Sequence, residues 1–545
     1  MSFTLDGHPV EVAREDITLL EALREDLGVR SVKDGCSPQG QCGCCTVLVD
    51  GAARVSCVTP VRRVSGRAVT TVDGLPGEIR DRLVSSFVAH GSSQCGFCTP
   101  GIVCRLAALP ASPPAPAQVD NSLLAHLCRC TGWRSIVDAA VSPSLPSATS
   151  PTAGAAARAA LEGGVSQDVG PATVLGRGGF ADDTAPAGCL VAVPMAGATR
   201  ASVQTAEGWS VGSTLAEARA GAGKIQGRRS GQSLAYPVEV PPGDWDITLQ
   251  TTWVEPAYLE PDASWCEPGG TPASPVANGG AFGGKVDSLV PAAARMLADH
   301  HGRPVRALYS REDVVRLGPK RPPAAAGVRL DGTGVLRLGV SAGSPIPSPA
   351  GSFEASAFPG LAVEDAPVAG PAVSSRIRAA GWAEAAVLTA AASAASAGSR
   401  TATVTTADGA RATAAVEVDA GGWPIAVTLE VDAGDPLDET VLCSYLQGAA
   451  HMALGWVCSE GIATDEDGVP TDLTIRSFGV LRAKDTPPIA VTVTVADRAD
   501  RADRVDLADR PPVRASDAAF AAVAAATWLA QGLPSRWPIL RGTRR

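Results

Sequence analysis

The residues best suited to chemistry are cysteines, and they are unevenly placed. Fourteen occur in 545 residues, and ten of them precede position 131. The opening residues, Met1 to Gly7, carry neither a basic region nor an apolar stretch. No secretory leader is therefore expected, and thiols in such a chain are read as metal ligands before disulfides. Two groups stand out. The first is Cys36-x5-Cys42-x2-Cys45, followed by Cys57. Glycines at 35, 40 and 43 let the backbone fold around an inorganic core and aim N–H groups at its sulfurs. The second is Cys95-x2-Cys98 with Cys128-x-Cys130.

Three close cysteines and one remote match the plant-type [2Fe–2S] arrangement, C-x4-C-x2-C…C, with the first gap one residue longer here. Zinc also takes four thiolates, but its structural sites favour two short pairs. The first group therefore points to a cluster. The second, on spacing alone, leaves cluster and zinc open, although C-x-C is tighter than zinc knuckles prefer. Pro100 after Cys98 and Thr131-Gly132-Trp133 after Cys130 are expected helix starts, where N-termini favour an anionic cluster. Cys44 is an extra thiol expected not to ligate. Cys104, Cys189, Cys266, Cys443 and Cys458 are scattered, as buried apolar cysteines are.

The elements that must hold these groups are legible as an α+β chain. Phe3 to Leu5, Asp6-Gly7 and Val10 to Val12 predict a hairpin with a tight turn. Thr18 and Glu21 form a capping box for a helix carrying Leu19, Leu20, Leu23 and Leu27, with Gly28 as its stop. A second hairpin runs Thr46–Val49, Asp50-Gly51, Arg54–Val58, and Val69–Val72 is a further strand. Helices are expected over 81–90, 100–109, 122–127 and 133–140, with the Pro-rich stretch 109–118 as a loop. Residues 141–163 are rich in Ser, Pro and Ala and read as a linker. The boundaries that follow are 1–75, 76–140, the linker 141–163, then 164–346 and 347–545.

Composition bounds the function. Hydrophobic residues make up 45% and charged residues 19%, as in a globular chain of several domains. A net charge of −10 gives no basic face for general nucleic-acid binding. No run of 18 apolar residues occurs, so no membrane span is expected, and cytoplasm is the default location.

Lys33 to Val47 (KDGCSPQGQCGCCTV) resembles the first iron–sulfur loop of the xanthine dehydrogenase/aldehyde oxidase family. Gln94 to Gly101 and Leu127 to Arg134 resemble its second cluster site. The resemblance implies a β-grasp ferredoxin-like domain, then a helical bundle [2Fe–2S] domain, then a mixed α+β molybdopterin-binding-like region. It implies two [2Fe–2S] clusters, held by Cys36, Cys42, Cys45 and Cys57 and by Cys95, Cys98, Cys128 and Cys130. The second would lie nearer a molybdenum cofactor, with Gln94 touching the pterin. Further along, Gly176–Asp183, Glu255–Pro261 and Asn278–Lys285 are similar to successive segments of the family's molybdenum-binding portion. Gly279, Gly280, Phe282, Gly283 and Gly284 would pack on the cofactor, a loop whose free amides suit a phosphate or pterin edge. Arg378 to Trp382 resembles the active-site R-G-x-G loop, and Gln447-Gly448-Ala449 a further cofactor contact.

The second region is shorter than its counterpart in the family. The family's G-x-G-E glutamate, the general base, is expected just before Pro511-Pro512-Val513, where the chain reads Asp506-Leu507-Ala508-Asp509-Arg510. Asp509 is the candidate base. It is one methylene shorter, and a positioned base is worth about 10²–10⁴-fold. No dinucleotide fingerprint lies between the two regions, so any FAD would belong to a separate subunit. The leading expectation is a hydroxylase of purines, other N-heterocycles or aldehydes that uses water. The competing one is an electron-transfer or assembly subunit. Substrate, acceptor and oligomeric state, homo-oligomers included, are left open by the sequence.

Overall fold

The computed structural model describes residues 1–110, 113–142, 170–227, 231–275, 280–342, 344, 350–352, 357–434, 436, 438–494 and 514–540. Its first unit is a five-stranded mixed sheet. Ser2–Leu5 pairs antiparallel with His8–Glu11 and parallel with Ala68–Thr70. Thr46–Val49 joins Ala68–Thr70 to the edge strand Ala52–Val55. Both hairpins turn on Asp-Gly pairs with positive φ, 49° and 86° at Asp6-Gly7 and 49° and 77° at Asp50-Gly51, as a tight I′ turn demands.

Thr18 caps the expected helix by accepting the Glu21 N–H at 3.2 Å. After Leu19–Glu21 the coil widens to a π-turn over Ala22–Asp26, and Gly28 ends it at φ 69°. That widened turn leaves the Arg24 guanidinium buried against Asp182 and Asp183, at 2.6 and 2.9 Å.

Helices Gly77–Ala89, Thr99–Ala107, Pro116–Ser122 and Arg134–Val141 follow. The third starts inside the stretch expected to be loop, because Pro116 at the first helical position needs no N–H partner. Most of the expected linker, from 143 onward, lies outside the described residues.

Among the described residues the second region contains three four-stranded sheets. Leu190–Pro194, Trp209–Gly212, Ala263–Cys266 and Val305–Leu308 form one, backed by helix Val290–His301. Ile247–Gln250, Ala324–Val328, Gly334–Val340 and Leu361–Pro367 form the next. Its last two strands pair in parallel, so the division expected at 346/347 falls within a single sheet. Thr401–Thr405, Arg411–Val418, Pro424–Asp432 and Ile489–Thr494 form the third.

Helices Trp382–Ser396, Glu439–Cys458 and Ala515–Ala530 pack beside it in an Ala-rich core. Glu439–Cys458 is long and apolar enough to cross a membrane by composition alone. Here it is a core helix, with Trp456 stacked on Phe520 at 5.3 Å. The two regions share apolar packing. Trp253, Ile462 and Phe478 join the core of the iron–sulfur portion, and Trp133 Nε1 donates to the Leu481 carbonyl at 3.1 Å.

Candidate iron–sulfur and cofactor site

All four thiols of the first group are buried and converge. The Cys36 sulfur meets those of Cys42 and Cys57, and Cys57 meets Cys45. The amides of Gln39 (3.2 Å) and Gln41 point at the Cys36 sulfur, and the Cys57 amide reaches the Cys45 sulfur at 3.5 Å. Such N–H···S contacts favour a thiolate that carries cluster charge. Cys57 sits on the 3-10 turn Ser56–Val58, just beyond strand Ala52–Val55, and not within a strand as the sequence predicts. Burial pushes the Cys44 thiol up, which favours the neutral form in a group expected not to ligate.

In the second group the Cys95 and Cys130 sulfurs lie 3.5 Å apart, and Cys98 meets Cys128. The Thr131 hydroxyl is 3.2 Å from the Cys128 sulfur, which also receives the amides of Cys130 and Thr131. Cys98 is the N-cap of Thr99–Ala107, as expected from Pro100. The two sites are clasped together. Leu127 N–H donates to the Cys42 carbonyl at 2.9 Å. A Cβ at Gly101 would stand 2.3 Å from the Gly43 carbonyl, and one at Gly43 2.4 Å from the His126 ring. Only glycines allow this approach.

Several residues of the expected cofactor set surround the second group. Gln94 Nε2 donates to the Cys130 carbonyl at 3.0 Å and to Ser444 Oγ at 2.9 Å. Gly280 abuts Cys95 and Cys130, whose sulfurs a Cβ there would meet at 3.0 and 3.2 Å. Gly448 faces the Cys130 carbonyl, and the Gln447 carbonyl faces Gly132.

The Arg378 loop is fastened to Phe282–Gly284. Arg378 N–H donates to the Phe282 carbonyl at 3.0 Å, and Gly283 lies against the Arg376 carbonyl. Phe282, Arg378 and Ala379 all have φ near +50°, a strained state for residues with side chains. Gly279 and Asp509 lie outside the described residues.

One participant was not singled out from the sequence. Arg129, between two ligand cysteines, forms a two-pronged pair with Glu460 at 2.6 and 2.5 Å. Glu460 also lies 3.4 Å from Arg378 Nη1, and the Pro256 carbonyl accepts from both arginines. An arginine inside C-x-C was a visible signal. Its partner, 331 residues away in no motif, was not.

A cavity of about 600 Å³ opens elsewhere, beside the first group, with Gln39, Gln41, Phe97, Asp262, Tyr309 and Glu312 in its wall. Arg378, Gln94 and Gly280 are not among its lining residues. No cysteine is among the residues that line it. Burial, helped by Asp262 and Asp313, pushes the Tyr309 phenol up.

Known proteins align with this geometry. Residues 3–62 match the family model described as "2Fe-2S iron-sulfur cluster binding domain", and residues 71–141 the one described as "[2Fe-2S] binding domain". The chain is 41% identical over 134 residues to a nicotinate dehydrogenase subunit of Pseudomonas putida, covering 24% of this chain and 85% of that protein. It is 36% identical over 140 residues to a probable xanthine dehydrogenase subunit of Bacillus subtilis, covering 25% and 80%. The fold over 96% of this chain and 97% of the other resembles the solved aldehyde oxidoreductase of Desulfovibrio gigas, with a TM-score of 0.70 and 14% identity. The sequence relatives cover the front quarter, and the remainder is linked by fold alone. On its two cluster-binding segments and their relatives, the chain belongs to the xanthine dehydrogenase/aldehyde oxidase family.

Proposed function

We propose that this chain is an iron–sulfur molybdenum hydroxylase that oxidises a small N-heterocycle, purine or aldehyde with water as oxygen source. Its architecture reads as a β-grasp ferredoxin-like domain, a helical cluster domain and a mixed α+β cofactor region. The observation that carries the reading is convergence at one place. Gln94, Gly280, Gln447 and Gly448 meet around Cys95 and Cys130, and Phe282–Gly284 hold the Arg378 loop alongside.

The residues present suit a molybdopterin edge. Gln447 Oε1 and Arg378 Nε are buried with no hydrogen-bond partner in the protein, one acceptor and one donor. An unpaired buried polar atom costs about 1–3 kcal/mol, so a ligand that pairs both gains affinity. When bound, the cofactor supplies acceptance of two electrons from the substrate. Gln94 and Gln447 would hold it, and Arg378 would orient the substrate. Asp509 would take the proton from water. Electrons would leave singly through the cluster of Cys95, Cys98, Cys128 and Cys130, then that of Cys36, Cys42, Cys45 and Cys57. The relatives are named as subunits, which supports a separate partner subunit. In this proposal that partner bears the flavin or another acceptor and works in the cytoplasm.

Molybdenum and pterin analysis of the purified protein tests this, followed by turnover of hypoxanthine, xanthine and an aldehyde with a dye acceptor. Iron without molybdenum or pterin overturns it. A second reading, an electron-transfer or assembly subunit, is favoured by one fact. Gly280, Gly283 and Gly448 are already packed against protein atoms. Under that reading both clusters are present and pterin is absent.

A further inference from the structure

One contact at the second thiol group has no role in the function proposed. Thr131, 2% exposed, places its hydroxyl 3.2 Å from the Cys128 sulfur. Between a hydroxyl and a thiol, either atom could give the proton. Two facts decide the direction here. A cysteine that binds iron does so as the thiolate and has no hydrogen left to give. The Thr131 oxygen already accepts the Trp133 N–H at 3.3 Å, and a hydroxyl keeps one hydrogen to donate. The hydroxyl therefore donates to the sulfur.

The turn that carries this hydroxyl is held by the second region. Gly132 has φ +62°, and a Cβ there would stand 2.4 Å from the Gln447 carbonyl. Trp133 is fully buried at φ +69°, and its indole N–H donates to the Leu481 carbonyl at 3.1 Å. In such buried surroundings a hydrogen bond is electrostatically stronger than in water.

The amides of Cys130 and Thr131 meet the same sulfur, and those of Gln39, Gln41 and Cys57 serve the first group. These are backbone donors, which a change of side chain leaves in place. Thr131 adds a donor from a side chain.

We propose that the Thr131 hydroxyl sets the redox potential of the second cluster, raising it by stabilising the reduced form. Reduction by one electron takes two Fe³⁺ to one Fe²⁺ and one Fe³⁺ and adds one negative charge, part of it on the ligand sulfurs. An O–H aimed at a ligand sulfur favours the more negative state, and hydrogen bonds to the sulfurs are among the determinants of cluster potential. The inference rests on the two-cluster part of the function proposed and is independent of molybdenum.

The test is an anaerobic redox titration of the full chain carrying both clusters, followed through their two paramagnetic signals. Unmodified protein without the second signal fails the two-cluster reading before any potential is compared. Thr131→Val keeps the branched shape and drops the hydroxyl. It should shift the one-electron equilibrium of the second cluster at least five-fold toward the oxidised form, about 40 mV at 59 mV per ten-fold. The first cluster should stay within two-fold. Thr131→Ala should move the second potential the same way, and Thr131→Ser, which restores the hydroxyl, should return it to within two-fold of the original. A general loss of stability would not move one potential and spare the other. An unchanged second potential in the Val and Ala variants, an equal shift at both clusters, or a Ser variant that behaves like Val overturns the proposal. Loss of the second signal from both the Val and Ala variants also overturns it, since the hydroxyl would then hold the cluster in place and not set its potential.

Discussion

Arg129 lies between two cluster thiols in the chain and is clamped on Glu460 through hydrogen bonds of 2.6 and 2.5 Å, with both side chains 1% exposed. Arg378 approaches the same carboxylate at 3.4 Å. One glutamate thus fastens the second cluster's loop to the loop expected at the active site. Glu460→Gln would leave two buried guanidiniums without a counter-charge, and breaking such a pair costs about 3–5 kcal/mol. Chemical denaturation of the cluster-loaded protein should show that loss. The unbalanced positive charge should also raise the potential of the second cluster in a redox titration while the first holds its value. Unchanged stability and potential would mean that the pair joins nothing.

Single-cysteine variants should separate ligands from bystanders. Cys57→Ala should remove the first cluster, halve the iron and spare the second signal. Cys44→Ala should leave iron and sulfide content at the original level, because that thiol is held up by burial and meets the four only through the Cys42 sulfur. Loss of a cluster on Cys44→Ala would mean that the assignment of ligands in the 36–45 loop is shifted.

Local signals carried far into this structure. The Asp-Gly turns, the Thr18 cap, the Gly28 stop and the helix start at Cys98 all depend on a few adjacent residues, and each stands where the sequence places it. The thiols grouped by spacing are neighbours in the fold, Cys36 with Cys42 and Cys57, Cys57 with Cys45, Cys95 with Cys130 and Cys98 with Cys128. What stayed hidden depends on distant partners. The widened turn at Ala22–Asp26 leaves Arg24 buried against carboxylates some 158 residues on, and nothing in its own segment announces them. Glu460 is silent for the same reason. The 346/347 division failed to show as a break because composition marks a Pro-rich loop, whereas strand pairing is decided by which edges meet.

Gly283 should be intolerant of a side chain. Its φ is +87°, and a Cβ would stand 1.8 Å from the Arg376 carbonyl, a backbone atom that cannot swing aside. Left-handed strain and overpacking each cost on the order of 1–3 kcal/mol, so Gly283→Ala should lower stability by roughly 2–6 kcal/mol. Gly66, with φ +69° and nothing within 4 Å, provides the control. Gly66→Ala should lose only the smaller conformational part. Equal thermal shifts for the two would show that the contact with the Arg378 loop is loose.

Acid should weaken the fold partly through His451. Burial is the main cause that pushes this imidazole down to about 4 from 6.5, with Arg129 and Arg134 adding to it. The Leu481 carbonyl at 3.0 Å and Glu460 oppose the shift. A base whose folded value is depressed stays neutral in the fold and protonates in the unfolded chain. Its contribution is therefore complete above pH 6.5 and is lost as pH falls toward 4. Between those values the slope from one such group reaches about 1.4 kcal/mol per pH unit. Denaturation curves from pH 7 to 4 should show a shallower fall for His451→Gln than for the original protein, with the two converging in slope above pH 7. Parallel curves through the whole range would mean that the imidazole titrates alike in both states.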